Sequence, residues 1–263
     1  MTKTELLSKL ARDDESRLLL ARAMDKLDTA RNRSVPCATA FLSPAERVTV
    51  ESLLNASGHP AAVFCGGYEG AERTICAFLP DWMGEEDFVP EEQLCALRCK
   101  FTPEADLSHR DFLGSVMGLG ITREKIGDIL VGDGVCDIVV LRDMLPIILA
   151  QMDSAGRYKL QCAPLELDGL APKTSEVKLV RDTFHSLRLD AVAAAGFGLP
   201  RTKAASLISG GKMAVNHKDC DKPDRILAEG DTLTCRGLGK CVLARVTGTS
   251  KKGRIMVEME RYI

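Results

Sequence analysis

S-L-R-L-D-A-V-A-A-A-G-F-G-L-P-R-T-K-A-A-S-L-I-S-G-G-K-M-A-V-N-H-K, from Ser186 to Lys218, sets two short helical patterns, a strand and a turn in immediate succession. In the first pattern Leu187, Leu189, Val192, Ala193 and Ala195 form a small apolar face, and Gly196 is expected to end it as a C-terminal glycine. The second runs from Leu199 to Lys212. Pro200 suits a first helical position, Ala204, Leu207 and Ile208 share one face, and Gly210-Gly211 is the stop. Met213 to Lys218 is then expected as a short strand and turn, and Glu229 to Arg236 as a turn feeding another strand.

The outward positions carry the chemistry. Arg188, Arg201, Lys203, Lys212, Lys218, Arg236 and Lys240 fall at helix starts and turns, where long cationic side chains reach successive phosphates. Thr202, beside Arg201, and Asn216, in the turn, complete the candidate RNA-binding set. The start of the second helix adds its own partial positive charge.

Charge is distributed to match. The chain of 263 residues has a formal net charge of -2, but residues 173–263 hold 17 Lys/Arg against 10 Asp/Glu, a net of +7. The preceding part therefore holds 18 against 27, a net of -9, and the basic end is where nucleic acid is expected. With 45% hydrophobic residues the composition is that of an ordinary globular protein. No apolar run approaches the roughly 18 residues of a membrane span, and the start Met1-Thr2-Lys3-Thr4-Glu5 lacks a signal-peptide core, so the expectation is a cytoplasmic monomer that touches no membrane. Ten scattered cysteines, mostly inside apolar runs, are expected as reduced core thiols. No C-x-x-C pair occurs, and no metal site is assigned.

The first 30 residues have the pattern of an amphipathic helix broken near Asp13-Asp14. Ser43-Pro44-Ala45-Glu46 fits a capping box that starts a helix running to about Ala56, and Gly66-Gly67-Tyr68-Glu69-Gly70 separates two short apolar runs as a hairpin would. From Gln93 the order is strand (Leu94 to Phe101), helix (His109 to Leu119), strand (Asp128 to Val131), strand (Cys136 to Leu141), helix (Asp143 to Met152) and strand (Tyr158 to Cys162). This βαββαβ order is the ferredoxin-like arrangement of RNA-recognition domains. Its central strands lack the exposed aromatics of a base-stacking platform, which leaves a structural role and RNA contact through the loops both open. Gly114 to Gly120 has glycines but neither the spacing nor the Lys-Ser/Thr of a phosphate loop. Gly132-Asp133-Gly134 is a hairpin turn, and Gly118 to Ile129 is a basic loop before a strand.

Arg188-Leu189-Asp190, Arg201 with Ala204, Leu207, Ile208 and Gly211, Met213 with Val215-Asn216, Gly230-Asp231, and Arg236-Gly237-Leu238-Gly239-Lys240 together resemble the small RNA-binding module known as the S-four or alpha-L domain. Pro200 stands where Ser usually precedes the Arg. His217 replaces the Gly common after Asn, which weighs against a tight turn. With the Gly118–Ile129 segment, the chain resembles the bacterial YlmH family across nearly its whole length. The resemblance implies an α+β protein with a helical N-terminus and hairpin (1–80), an RRM-like domain (81–168) and a C-terminal S-four domain (180–263). It also implies a role in ribosome-associated quality control, binding rRNA of the large ribosomal subunit and peptidyl-tRNA while the stalled chain is extended with a tail. No catalytic residue and no cofactor are expected. Two other classes stay open: an RNA-modifying enzyme of the pseudouridine synthase or rRNA methyltransferase type, to which the same module is appended, and a cell-division partner. Against the first, the module here comes last, there is no dinucleotide-type glycine fingerprint, and Asp190 at the head of a helix fits a geometric role better than a catalytic one.

Overall fold

A computed structural model describes residues 3–170, 177–250 and 252–262, and the chain divides into two compact units, Met1–Lys173 and Thr174–Ile263. In the first, α1 (Lys3–Leu10) and α2 (Asp14–Arg33) part where Asp13 takes an extended conformation and its side chain accepts the Ser16 N–H. After β1 (Cys37–Ala38), the Ser43/Glu46 capping box with Pro44 in the first turn starts α3 (Pro44–Ala56). The hairpin β2 (Ala62–Cys65) and β3 (Ile75–Phe78) completes a small antiparallel sheet of order β1-β3-β2. Leu20, Leu27, Val50, Leu53 and Phe78 form the core beneath it.

β4 (Leu94–Lys100), α4 (His109–Gly118), β5 (Ile126–Val131), β6 (Val135–Leu141) and α5 (Leu145–Gln151) follow the expected order. The last strand differs. Gly156, at φ +56, closes a tight hairpin of β7 (Ser154–Ala155) and β8 (Tyr158–Lys159), and the sheet strand is β9 (Gln161–Leu165), three residues later than the apolar pattern indicates. Pro164 hides this strand from a propensity reading, because proline enters sheets only at edges, and β9 is an edge. The order β5-β6-β4-β9, antiparallel throughout, is ferredoxin-like.

One face of that sheet carries Cys95, Leu97, Cys99, Ile138 and Val140 against Phe112, Val116 and Ile148 of the two helices. The opposite face, the one RNA-recognition domains leave open for stacked bases, is closed by the chain itself: Leu94, Ala96 and Val139 pack against Phe41, Ile75, Leu167 and Leu170. Phe41 fits because residue 127 is glycine. A Cβ there would lie 2.7 Å from the Phe41 ring and 3.2 Å from Val139. Arg73 and Arg123 lock the joint: Arg73 donates to the carbonyls of Ile126 and Phe41, and Arg123 to those of Ile126 and Gly127. Asp128 accepts from the Tyr68 hydroxyl and from the Glu72 and Arg73 N–H groups. Lys125 pairs with Asp143, so Arg123 and Lys125 of the basic loop are engaged within the fold.

The second unit begins with β10 (Val177–Phe184). α6 (Leu189–Phe197) and α7 (Arg201–Ser209) lead to β11 (Met213–Val215), β12 (Lys218–Asp219), β13 (Thr232–Cys235), β14 (Gly239–Thr249) and β15 (Ile255–Tyr262), in a sheet of order β10-β15-β14-β13-β11-β12. α6 runs through Gly196. The glycine that ends it in the left-handed conformation is Gly198, at φ +68. Gly196 instead makes room for a neighbour. A Cβ on it would lie 2.6 Å from the Cys241 sulfur, so the helix approaches β14 closely only because nothing is there. Pro200 is the N-cap of α7 rather than its first helical residue. The β11–β12 turn is tight despite His217, since Asn216 (φ 50) and His217 (φ 60) both take the positive φ of a type I′ turn.

Gly127→Ala should lower the stability of the first unit by about 1–3 kcal/mol, since overpacking forces the Phe41 ring away from the sheet. Urea denaturation followed through Trp82 measures this. An unchanged midpoint would mean that the face is not closed as described.

Candidate nucleic-acid interface

The site is organised around one carboxylate. Asp190 lies in the first turn of α6 and is buried, at 6% exposure. Its backbone N–H reaches the Pro223 carbonyl, and the Leu189 N–H reaches that of Arg225, which ties the helix start to the loop before Leu227. Its oxygens accept from Arg188 Nε and Nη2 at 3.2 and 3.3 Å, and from Arg201 Nε and Nη2 at 3.0–3.1 Å. Burial alone would raise the Asp190 pKa. The hydrogen bonds and charges of the two arginines outweigh it and hold the carboxyl below its ordinary value. Two guanidinium groups on one carboxylate leave a net charge of +1. The arginine heads stay accessible, with side-chain exposures of 36% for Arg188 and 57% for Arg201.

Arg201, Thr202 and Lys203 form the exposed first turn of α7. Among the described residues no side chain caps this helix. The Lys203 and Ala204 N–H groups bond to the Pro200 carbonyl, while those of Arg201 and Thr202 take no backbone partner among the described residues. An uncapped N-terminus ringed by two cations and a hydroxyl suits a phosphate oxygen.

A second group lies beyond the other end of α7. The Arg236 N–H bonds to the Lys212 carbonyl, bringing the three-residue loop between β13 and β14 beside Lys212, and both side chains are exposed. Lys218 sits on β12 next to the turn. Asn216 serves the fold: its amide nitrogen donates to Asp231 at 2.7 Å and its oxygen accepts the Thr232 N–H at 2.8 Å.

Lys240 stands apart. Cys241 and Leu243 are buried toward α6, so the alternation of β14 turns Lys240 to the opposite face, where its ammonium lies 4.6 Å from the centre of the Tyr262 ring. The seven cations of the sequence pattern therefore do not share one surface. Sequence reasoning also passed over Lys222, Arg225 and Ile226. Arg188 bridges to Ile226, which is 64% exposed. The only sequence signal was a Pro-centred turn, Lys222-Pro223-Asp224-Arg225, whose cations are masked in a charge count by Asp219, Asp221 and Asp224.

Two family models match the chain: "Putative RNA-binding domain in YlmH" over residues 86–168 and the S4 domain over residues 187–233. The chain is 33% identical over 224 residues to the ribosome-associated protein quality control protein P2 of Bacillus subtilis (strain 168), covering 85% of this chain and 86% of that one. Among solved structures, the cell division protein ylmH from Streptococcus pneumoniae is similar with a TM-score of 0.50 and 19% identity, over 59% of this chain and 93% of that one, which supports the fold.

Replacing Asp190 by Asn should destabilise the second unit by about 1–3 kcal/mol at neutral pH, because the two arginines lose their anionic partner and one of its two acceptor oxygens, where the amide instead sets an N–H donor against them. Because the folded pKa lies below the ordinary 3.8, the stabilisation is present above that value and disappears as pH falls through the folded pKa. The gap between wild type and Asp190→Asn, read from thermal melts by circular dichroism, should therefore narrow below pH 3.8. A gap that is constant with pH would deny the carboxylate its role.

Proposed function

The chain belongs to the YlmH family, and from that premise we propose that it is a non-catalytic RNA-binding factor of ribosome-associated quality control. In this reading it holds rRNA of the large ribosomal subunit and peptidyl-tRNA while the stalled chain is tailed, with the S4 domain as the main RNA-binding surface. The observation that carries it is the Arg188–Asp190–Arg201 arrangement at the exposed start of α7. A buried acid fixes two arginines in place, so little side-chain entropy is lost when a phosphate arrives. Arg188, Arg201, Thr202 and Lys203 form the first contact group and Lys212, Arg236 and Lys218 the second. Lys240 belongs to a different face, and Asn216 contributes by fixing its turn.

The enzyme alternative rests on the Arg-Leu-Asp triplet. A carboxylate buried and engaged with two guanidinium groups is poorly placed to act on a base, which favours the binding reading. Incubation with rRNA, with or without a methyl donor, should leave the RNA unchanged. Appearance of a pseudouridine or a new methyl group by mass spectrometry would install the enzyme reading instead.

Charge reversal tests the surface directly. Arg201→Glu is a poor probe, since it would set a second carboxylate against the buried Asp190. Lys203 and Arg236 are exposed and enter no ion pair among the described residues. The double variant Lys203→Glu/Arg236→Glu should keep its melting temperature, because exposed charge changes are usually worth within about 0.5 kcal/mol. Its co-sedimentation with large subunits should fall at least tenfold, while Lys9→Glu/Lys26→Glu on the N-terminal helices should bind as wild type does. Wild-type affinity should drop on the order of a thousandfold between about 50 and 200 mM salt, as expected for roughly six phosphate contacts. Equal binding by both double variants, or a flat salt dependence, would move the interface elsewhere.

A further inference from the structure

Three cysteines lie side by side across the middle sheet. In the register of β6, β4 and β9, Cys99 stands directly opposite both Cys136 and Cys162. The two pairs are not equivalent. A residue in the interior of an antiparallel sheet points its N–H and C=O toward one neighbour, so it is hydrogen-bonded to that strand and faces the other without hydrogen bonds. Leu97 stands opposite Pro164, which has no N–H to give, placing Leu97–Pro164 in the non-hydrogen-bonded class. Cys99–Cys162 is two residues along and falls in the same class, whereas Cys99–Cys136 falls in the hydrogen-bonded one. Non-hydrogen-bonded partners bring their Cα atoms to about 4.5 Å with side chains close, within the range a disulfide spans. The sulfurs of Cys99 and Cys162 are accordingly 3.2 Å apart, and the Cys136 sulfur lies instead near the Asp137 carbonyl.

We propose that Cys99 and Cys162 form an oxidation site that takes a peroxide-class oxidant and closes to an intramolecular disulfide, fastening the edge strand β9 to β4. Access is asymmetric. Cys99 is buried, whereas Cys162 is only partly buried at the sheet edge, so the small oxidant meets Cys162 first. The shared proton favours the same order: the hydrogen bond to Cys162, then burial, keep Cys99 protonated, and the same contact holds Cys162 below its ordinary value against the opposing effect of burial. Burial pushes the Cys65, Cys76, Cys95, Cys136, Cys235 and Cys241 thiols the other way. The Cys162 thiolate attacks one oxygen of hydrogen peroxide, the O–O bond breaks, and the leaving hydroxide takes a proton to become water. The Cys99 sulfur then attacks the Cys162 sulfur. The S–O bond breaks, the S–S bond forms, and the Cys99 proton leaves with the hydroxide as a second water. Two thiols have given two electrons to one peroxide.

The test uses the full-length reduced protein and about one equivalent of hydrogen peroxide, followed by alkylation and peptide mapping. Cys99 and Cys162, out of ten cysteines, should become resistant to alkylation and appear in one linked peptide that dithiothreitol separates. Amide exchange over residues 161–165 should slow on oxidation. Cys162→Ser and Cys99→Ser should each abolish the linked peptide. The proposal is overturned if all ten thiols still alkylate, or if the linkage that forms joins a different pair. The wild-type peptide map decides between these results by itself, whether or not either variant folds.

Discussion

A carboxylate taken out of water at a helix corner must either gain cations or lose its charge, and Asp190 resolves this by drawing in Arg188 from the start of its own helix and Arg201 from the start of the next. Much of the second unit follows. The Asp190 and Leu189 N–H groups are bound to carbonyls of the 223–225 loop, so the same residues that seat the acid also hold that loop beside the helices. The arginines are oriented by a partner that is itself buried, yet their heads remain outside. An isolated exposed ion pair contributes little, but here the buried acid costs stability unless both arginines stay, so position and charge are enforced together.

The first unit obeys a different constraint. A four-stranded ferredoxin-like sheet has two faces and only two helices, which cover one of them. RNA-recognition domains use the open face for aromatic stacking; here Phe41, Ile75, Leu167 and Leu170 occupy it. The missing aromatics on β4 and β6 thus have a physical cause: Ala96 and Val139 are small enough to accept Phe41 and Ile75 from above. Burial also lowers the pKa of Arg73 and of Arg123, and both are directed at backbone carbonyls. RNA contact by this unit therefore cannot use that sheet face.

Local signals in the sequence were faithful where one residue decides one geometry. Asp13, the Ser43/Glu46 box and the Gly210-Gly211 stop all mark helix ends in the structure. Signals failed where one residue type serves two purposes. Gly196 and Gly198 both look like helix terminators, and only the proximity of Cys241 separates close packing from positive φ. The outward cations were visible, but their grouping was not, because sheet alternation and the Asp190 clamp are tertiary facts. The pairing of Cys99 with Cys162 across 63 residues of chain was equally hidden, since register in a sheet is set by distant partners.

The placement of cations on both faces of the C-terminal sheet constrains how nucleic acid can lie. The two groups at the ends of α7 are separated by a helix of nine residues, about 13 Å long. Each strand of a duplex presents a charge roughly every 3.4 Å along the axis, so one backbone running the length of this helix spans about four phosphates and meets both groups. Lys240, stacked on Tyr262 on the far face, cannot join that path. The Arg181–Glu258 ion pair and Glu260 accompany it on the outer strands, which makes that face mixed in charge where the helix face is cationic. A duplex or a sharply structured strand is therefore expected to approach from the α6–α7 side, with its backbone running along α7 from the uncapped N-terminus toward the Lys212–Arg236 loop.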